Sequence, residues 1–283
     1  MTAEAVNAAA RTSVVAALQK ASAATGSDFD YLLKTAVRES GLKSGAQAST
    51  SSASGLFQFV EQTWLGLVKE NGGKYGLSSY ASKITKGSDG RYHVADSGDR
   101  QAILDLRSDP QTSALMAGEY ANQCKSKMES TLGRPVSNGE LYAAHFLGAD
   151  SASRLVAMNE RSPGAVAADA FPQAAAANKS VFYHSDGSAK SVNEVYAWAT
   201  SQPSTAGITA VAQNTTPSVT SQQLSGAQSI ALMAQFETSM MTTALLSDST
   251  GPKEPDKMTN SPFRLSYDVL SSLQGVAQKR EAS

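Results

Sequence analysis

The stretch DFDYLLKTAVRESGLKSGAQASTSSASGLFQF, residues 28–59, decides how the rest of the chain is read. Its first half carries Phe29, Leu32, Leu33, Ala36 and Val37 at the spacing of one buried helical face. Asp28 stands where an N-cap belongs, and Gly41 follows as a C-terminal stop. A loop of small polar residues then covers 43–54, and an apolar run returns at Gly55-Leu56-Phe57-Gln58. Glu39 closes the helix at the border of its apolar face, three residues after Ala36 and seven after Leu32. A carboxyl group in such a setting meets two obstacles to its charge, loss of water and the negative end of a helix dipole. Both favour the protonated form that a general acid needs. Arg38 points about 100° away on a helix of ~3.6 residues per turn and need not neutralise the acid. The ordinary alternative is a solvated glutamate at a helix end, and position alone does not separate the two.

Outward from this stretch the periodicity remains helical. Residues 5–24 form a helix with Val6, Val14, Val15 and Leu18 on a loose stripe. Another covers 60–70, with Trp64, Leu65 and Val68 inward, and Asn71-Gly72-Gly73 breaks it. Residues 72–98 read as an irregular excursion, and 99–106 as a short helix. Asp109-Pro110 starts a long helix that runs to about Leu132 and buries Leu115, Met116, Tyr120 and Cys124. Ser137 and Glu140 form a capping box before LYAAHFLG. Short helices follow at 151–158, 163–168, 172–178 and 192–199. Strand signals are nearly absent, so the expected fold class is mainly α.

Beyond residue 200 the composition changes. Residues 201–228 are rich in Ser, Thr, Gln and Ala and read as a flexible linker. Residues 229–283 hold two short amphipathic segments, around Ile230–Leu245 and Phe263–Leu273, that read as a docking tail. The expected division is a globular domain over 1–200, the linker, and this tail.

Bulk properties exclude several classes. Over 283 residues the formal net charge is −1, and no Lys/Arg-rich block suggests nucleic acid or anionic lipid as a partner. No apolar run is long enough for a transmembrane helix. The segment MTAEAVNAAARTSVVAAL lacks the basic and continuous apolar regions of a secretory signal. Cys124 is the single cysteine, and His93, His145 and His184 lie far apart. Neither a metal site nor a cofactor is expected from such a set.

The order Glu39-Ser40 at a helix end, a small-residue loop, then Gly55-Leu56-Phe57-Gln58 resembles the family 1 lytic transglycosylases (soluble, SLT-type) of the lysozyme-like superfamily. That family shows Glu-Ser followed by Gly-Leu-Met-Gln, with Met where this chain has Phe57. ASGLFQFVEQTW and SDPQTSALMAGEY (108–120) extend the likeness, which covers about 28–185. The resemblance implies a lysozyme-like helical domain with a flexible C-terminal extension. It implies a carbon–oxygen lyase that cleaves the β-1,4 bond between N-acetylmuramic acid and N-acetylglucosamine in peptidoglycan and leaves 1,6-anhydro ends. Glu39 would be the sole catalytic residue, which fits the lack of a second acid in a compelling setting: Glu61, Asp96, Asp99 and Glu119 all have helix-surface or loop explanations.

The same resemblance gives the supporting residues. Ser40 would orient the acid, though it reads equally as a polar residue at a helix end; Gly55 would permit a tight turn beside the groove, and Gln58 would support the site by its amide. Phe57 reads either as groove lining or as core. The family's Ala-Tyr-Asn-Ala-Gly motif falls on Ala144-His145-Phe146-Leu147-Gly148. His145 then stands at the Tyr position and Phe146 at the sugar-contacting Asn, whose hydrogen bond is lost; His145 also reads as an ordinary helix residue. The family's late tyrosine falls on Tyr183 of VFYH. Partners implied are peptidoglycan glycan strands and, through the tail, a protein of an envelope machine. The implied location is the periplasm or cell envelope. Two other readings share the motifs: a goose-type lysozyme-like muramidase, and a weakened peptidoglycan-binding assembly factor.

Overall fold

The computed structural model describes residues 3–48 and 51–205. The tail at 229–283, and the linker beyond its first five residues, lie outside the described residues. The architecture is mainly α, as the periodicity implies. Among the described residues no helix is long and apolar enough to cross a membrane.

Two long helices form the spine: α1 (Ala3–Thr25) and α6 (Pro110–Leu132) pack against each other. Val14, Leu18 and Ala21 are buried on α1; Leu115, Met116, Cys124 and Met128 are buried on α6. The helices approach closely where α6 has Gly118, because a Cβ there would strike Thr25. Ser27 then fixes the crossing, its hydroxyl donating to the Gly118 carbonyl at 2.7 Å. Cys124 is a free thiol in this core.

α2 (Phe29–Ser40) follows with the expected caps. The Asp28 carboxylate accepts from the Tyr31 N–H, and Gly41 closes the helix in the left-handed region, where L side chains are disfavoured. Tyr31, Leu32, Leu33 and Ala36 face inward. α3 (Glu61–Asn71) buries Trp64, Leu65 and Val68, and the Trp64 indole N–H donates to the Ile103 carbonyl at 2.7 Å.

The expected irregular excursion is structured. A 3-10 turn (Gly72–Tyr75) leads to α4 (Ser78–Lys83) and a hairpin of β1 (Ile84–Lys86) and β2 (Tyr92–Val94). The strands pair antiparallel, with Ile84 opposite Val94. Gln62 of α3 holds the hairpin by its backbone, donating to the Tyr92 carbonyl and accepting from its N–H, both at 2.9 Å. Strands of three residues carry too short an alternation to be read, and their support comes from a side chain elsewhere in the sequence.

α5 (Ser97–Asp105) leads into α6. α7 (Asn138–Leu147), α8 (Ala149–Arg161) and α12 (Val192–Thr200) form a second packed group, and both α7 and α12 open with a complete capping box. Between them lie three single-turn or short helices: α9 (Ala167–Ala170), α10 (Pro172–Ala177) and α11 (Lys179–Phe182). The helix expected at 163–168 does not form, since Pro163-Gly164 makes a turn and α9 begins after it. The packed unit also runs past the expected boundary at 200. Arg38 binds the Ser201 carbonyl, and Thr205 is buried.

Candidate active site

Glu39 stands in the last turn of α2 with its side chain 9% exposed. Its Oε1 accepts a 2.7 Å hydrogen bond from the Tyr142 hydroxyl, projected from the middle of α7. Burial, and then the charge of Glu39, push the Tyr142 phenol well above its ordinary range, although Arg38 pulls the other way. The hydroxyl therefore keeps its proton and stays a donor. His145, one turn further along α7, brings Nε2 to 3.9 Å from the same carboxylate oxygen and 3.2 Å from the Phe57 carbonyl. α2 and α7 thus meet at one acid, and His145 links it to the Gly55–Gln58 loop.

Arg38 forms one wall of this arrangement. Its guanidinium lies 4.0 Å from the Tyr142 ring centroid and 5.0 Å from that of Trp198. It also donates to the carbonyls of Trp198 and Ser201, at the end of α12 where the helix dipole is negative. Arg38, which points away from the acid's side of the helix, is a clamp between α2, α7 and α12.

The loop is built by its own polar groups. Ser40 Oγ donates to the Leu56 carbonyl at 2.8 Å and contacts the Ala36 carbonyl at 3.1 Å. Its hydroxyl proton therefore ties helix to loop; the expected hydrogen bond that orients the acid is not made. Gly55 adopts φ +83°, and a Cβ there would collide with the Arg107 carbonyl, so the tight turn requires glycine. Gln58 also adopts a positive φ, +51°. Its amide donates to the carbonyls of Ala46 and Gly55, bracing the loop from within. Buried Arg107 completes the support with bonds to the carbonyls of Ser52, Phe59 and Leu104.

Several expected site residues lie elsewhere. Phe57 is fully buried beside Phe59, so of its two readings the core is correct. Phe146 is 6% exposed and meets Trp198 edge-on at 5.0 Å, which makes it a packing residue and not a sugar contact. Tyr183 lines a different, open cleft with Asp169, Lys179, His184 and Lys190. The phenol that reaches the acid is that of Tyr142. Sequence reasoning passed over this residue, although it lies three positions before His145 on the same side of one helix.

The other acids sort differently from one another. Glu61 pairs with Arg100, Asp99 with Lys83, and Asp96 caps α5, as surface or loop acids do. Glu119 departs from that expectation. It is buried on α6 and accepts from the Tyr75 hydroxyl and from Lys74. Among the described residues no three His, Cys, Asp or Glu side chains converge as a metal-ligand set. The chain matches no family model in a search of known protein families.

Proposed function

We propose that this chain is a peptidoglycan lytic transglycosylase of lysozyme-like type, acting in the cell envelope with Glu39 as its one catalytic residue. The observation that carries the reading is the Tyr142–Glu39 hydrogen bond in a nearly closed setting. Tyr142 donates to Oε1, so the proton of the neutral acid sits on Oε2, the oxygen Tyr142 leaves for proton transfer. In the first step the Oε2 proton passes to the glycosidic oxygen, and the bond from C1 to that oxygen breaks. In the second, the carboxylate takes the proton of the muramoyl C6 hydroxyl while O6 bonds to C1. The acid ends protonated, and the product carries a 1,6-anhydro ring. Hydrolytic glycosidases ordinarily use two carboxylates. Here the nucleophile belongs to the substrate, and intramolecular attack can reach effective molarities of ~10^5 M or more.

A turnover assay on purified peptidoglycan sacculi tests the proposal. Wild type releases muropeptides with anhydro ends, and Glu39→Gln releases none. Products that have gained water instead identify a goose-type muramidase. Binding to sacculi without any release identifies an assembly factor, and the catalytic reading then fails.

A further inference from the structure

The ring of His145 is packed between three aromatic side chains. Its side chain is 10% exposed. Phe59 lies 5.7 Å away by ring centroids, Tyr120 of α6 meets it edge-on at 5.9 Å, and Tyr142 stacks on it at 6.0 Å. The polar and charged groups that face it are Glu39 from α2, the Tyr142 hydroxyl on the same carboxylate oxygen, and the Phe57 carbonyl from the loop, with the Arg38 guanidinium 4.0 Å from the Tyr142 ring centroid. Nε2 points at two oxygens, one of which is a carbonyl that can only accept. The 3.2 Å contact is a hydrogen bond only when Nε2 carries the hydrogen, so the loop carbonyl selects the tautomer.

We propose that His145 is a positioning residue for Glu39, held as the Nε2–H tautomer by the Phe57 carbonyl and shared with Oε1 of the acid. The role rests on the lytic transglycosylase reading. With Glu39 neutral, the N–H stays on the Phe57 carbonyl. Once the Oε2 proton has moved to the glycosidic oxygen, the carboxylate becomes the stronger acceptor. The 3.9 Å separation from Oε1 closes to a hydrogen bond by a shift of about 1 Å, a small rocking of the ring. When the carboxylate recovers a proton from the C6 hydroxyl, the N–H returns to the carbonyl. No proton leaves the imidazole at any point. The Nε2–H is a donor preorganised for the charge that appears between the two steps, and it ties the Gly55–Gln58 loop to the acid's state.

The test uses the full chain with 15N-labelled histidine. Long-range proton–nitrogen correlation spectra report each ring's tautomer, and His145→Gln identifies the His145 signals by their loss. Wild type shows His145 as Nε2–H, with signals that move in Glu39→Gln. In turnover assays His145→Gln, whose amide nitrogen reaches as far as Nε2, keeps kcat within about threefold of wild type. His145→Phe loses about tenfold or more in kcat with KM unchanged, as for a donor used only in the transition state. An Nδ1–H ring in an active protein, or equal kcat in wild type and His145→Phe, overturns this inference and leaves the function standing. An Nε2–H ring in a protein that releases no muropeptides overturns the function, and the positioning role falls with it.

Discussion

The Tyr142 hydroxyl and the Glu39 carboxyl group, 103 positions apart in the chain, meet at 2.7 Å where the Glu39 side chain is nearly buried. The acid has one oxygen fixed by a donor that keeps its own proton, and that fixes which oxygen is available for chemistry. Tyr142→Phe removes the donor while keeping the ring under Arg38. The expected result is a fall in kcat of about ten- to a hundredfold with KM little changed, measured by muropeptide release. An unchanged kcat means that Glu39 needs no such anchor.

Phe146 occupies the place where the resemblance puts a sugar-binding asparagine, yet it packs on Trp198. Phe146→Asn therefore creates a cavity and buries an amide. It should cost about 2–4 kcal/mol in urea unfolding without raising turnover per folded molecule. A gain in turnover would restore the family assignment of this position.

Gly55 sits at φ +83° against the Arg107 carbonyl. Gly55→Ala combines left-handed strain with a collision against backbone. A loss of about 2 kcal/mol or more is expected, visible as a lower urea midpoint with an unchanged slope. The loop beneath the acid moves with it, so activity falls further than the folded fraction does.

Glu140 caps α7, the helix that carries Tyr142 and His145. Burial pushes its carboxyl up, but bonds from Arg134, the Ser137 N–H and the Tyr196 hydroxyl outweigh this and hold it below the usual range. A group whose folded pKa is depressed gives stability above its unfolded value, near 4.5, that is lost as pH falls through the folded value. The stability difference between wild type and Glu140→Gln should therefore be constant above about pH 5 and shrink below it. Unfolding both proteins across that range measures the difference directly; a gap that widens toward acid contradicts the assignment.

What could be read from sequence was what neighbours in the chain decide. Asp28, Asp109, Ser137 with Glu140, and Gly41 announce their helices because a cap is satisfied within three or four residues. The burial of Trp64, Leu65 and Val68 follows from helical spacing alone. The β-hairpin was hidden because Gln62 steadies it from 30 positions away. Tyr142 was hidden for the same reason, since nothing near it in sequence says that it faces Glu39. The role of Arg38 was hidden too, because its partners, Tyr142 and the last carbonyls of α12, are more than a hundred residues distant. Of the two readings of Ser40, the acid's partner or a polar helix end, the structure favours the second, with its hydroxyl on the Leu56 carbonyl.

The grip of Arg38 on the Ser201 carbonyl also bears on where this protein can be shortened. A chain ended after Thr200 keeps every helix of the described residues together with Glu39, Tyr142 and His145, yet loses an acceptor of the guanidinium that lies over Tyr142. It also strips away the buried Thr205. Any defect of such a fragment would come from the lost Ser201 and Thr205 contacts before it came from the distal tail. The smallest faithful fragment ends no earlier than residue 205, and any activity assigned to the remaining sequence has to be measured against that reference.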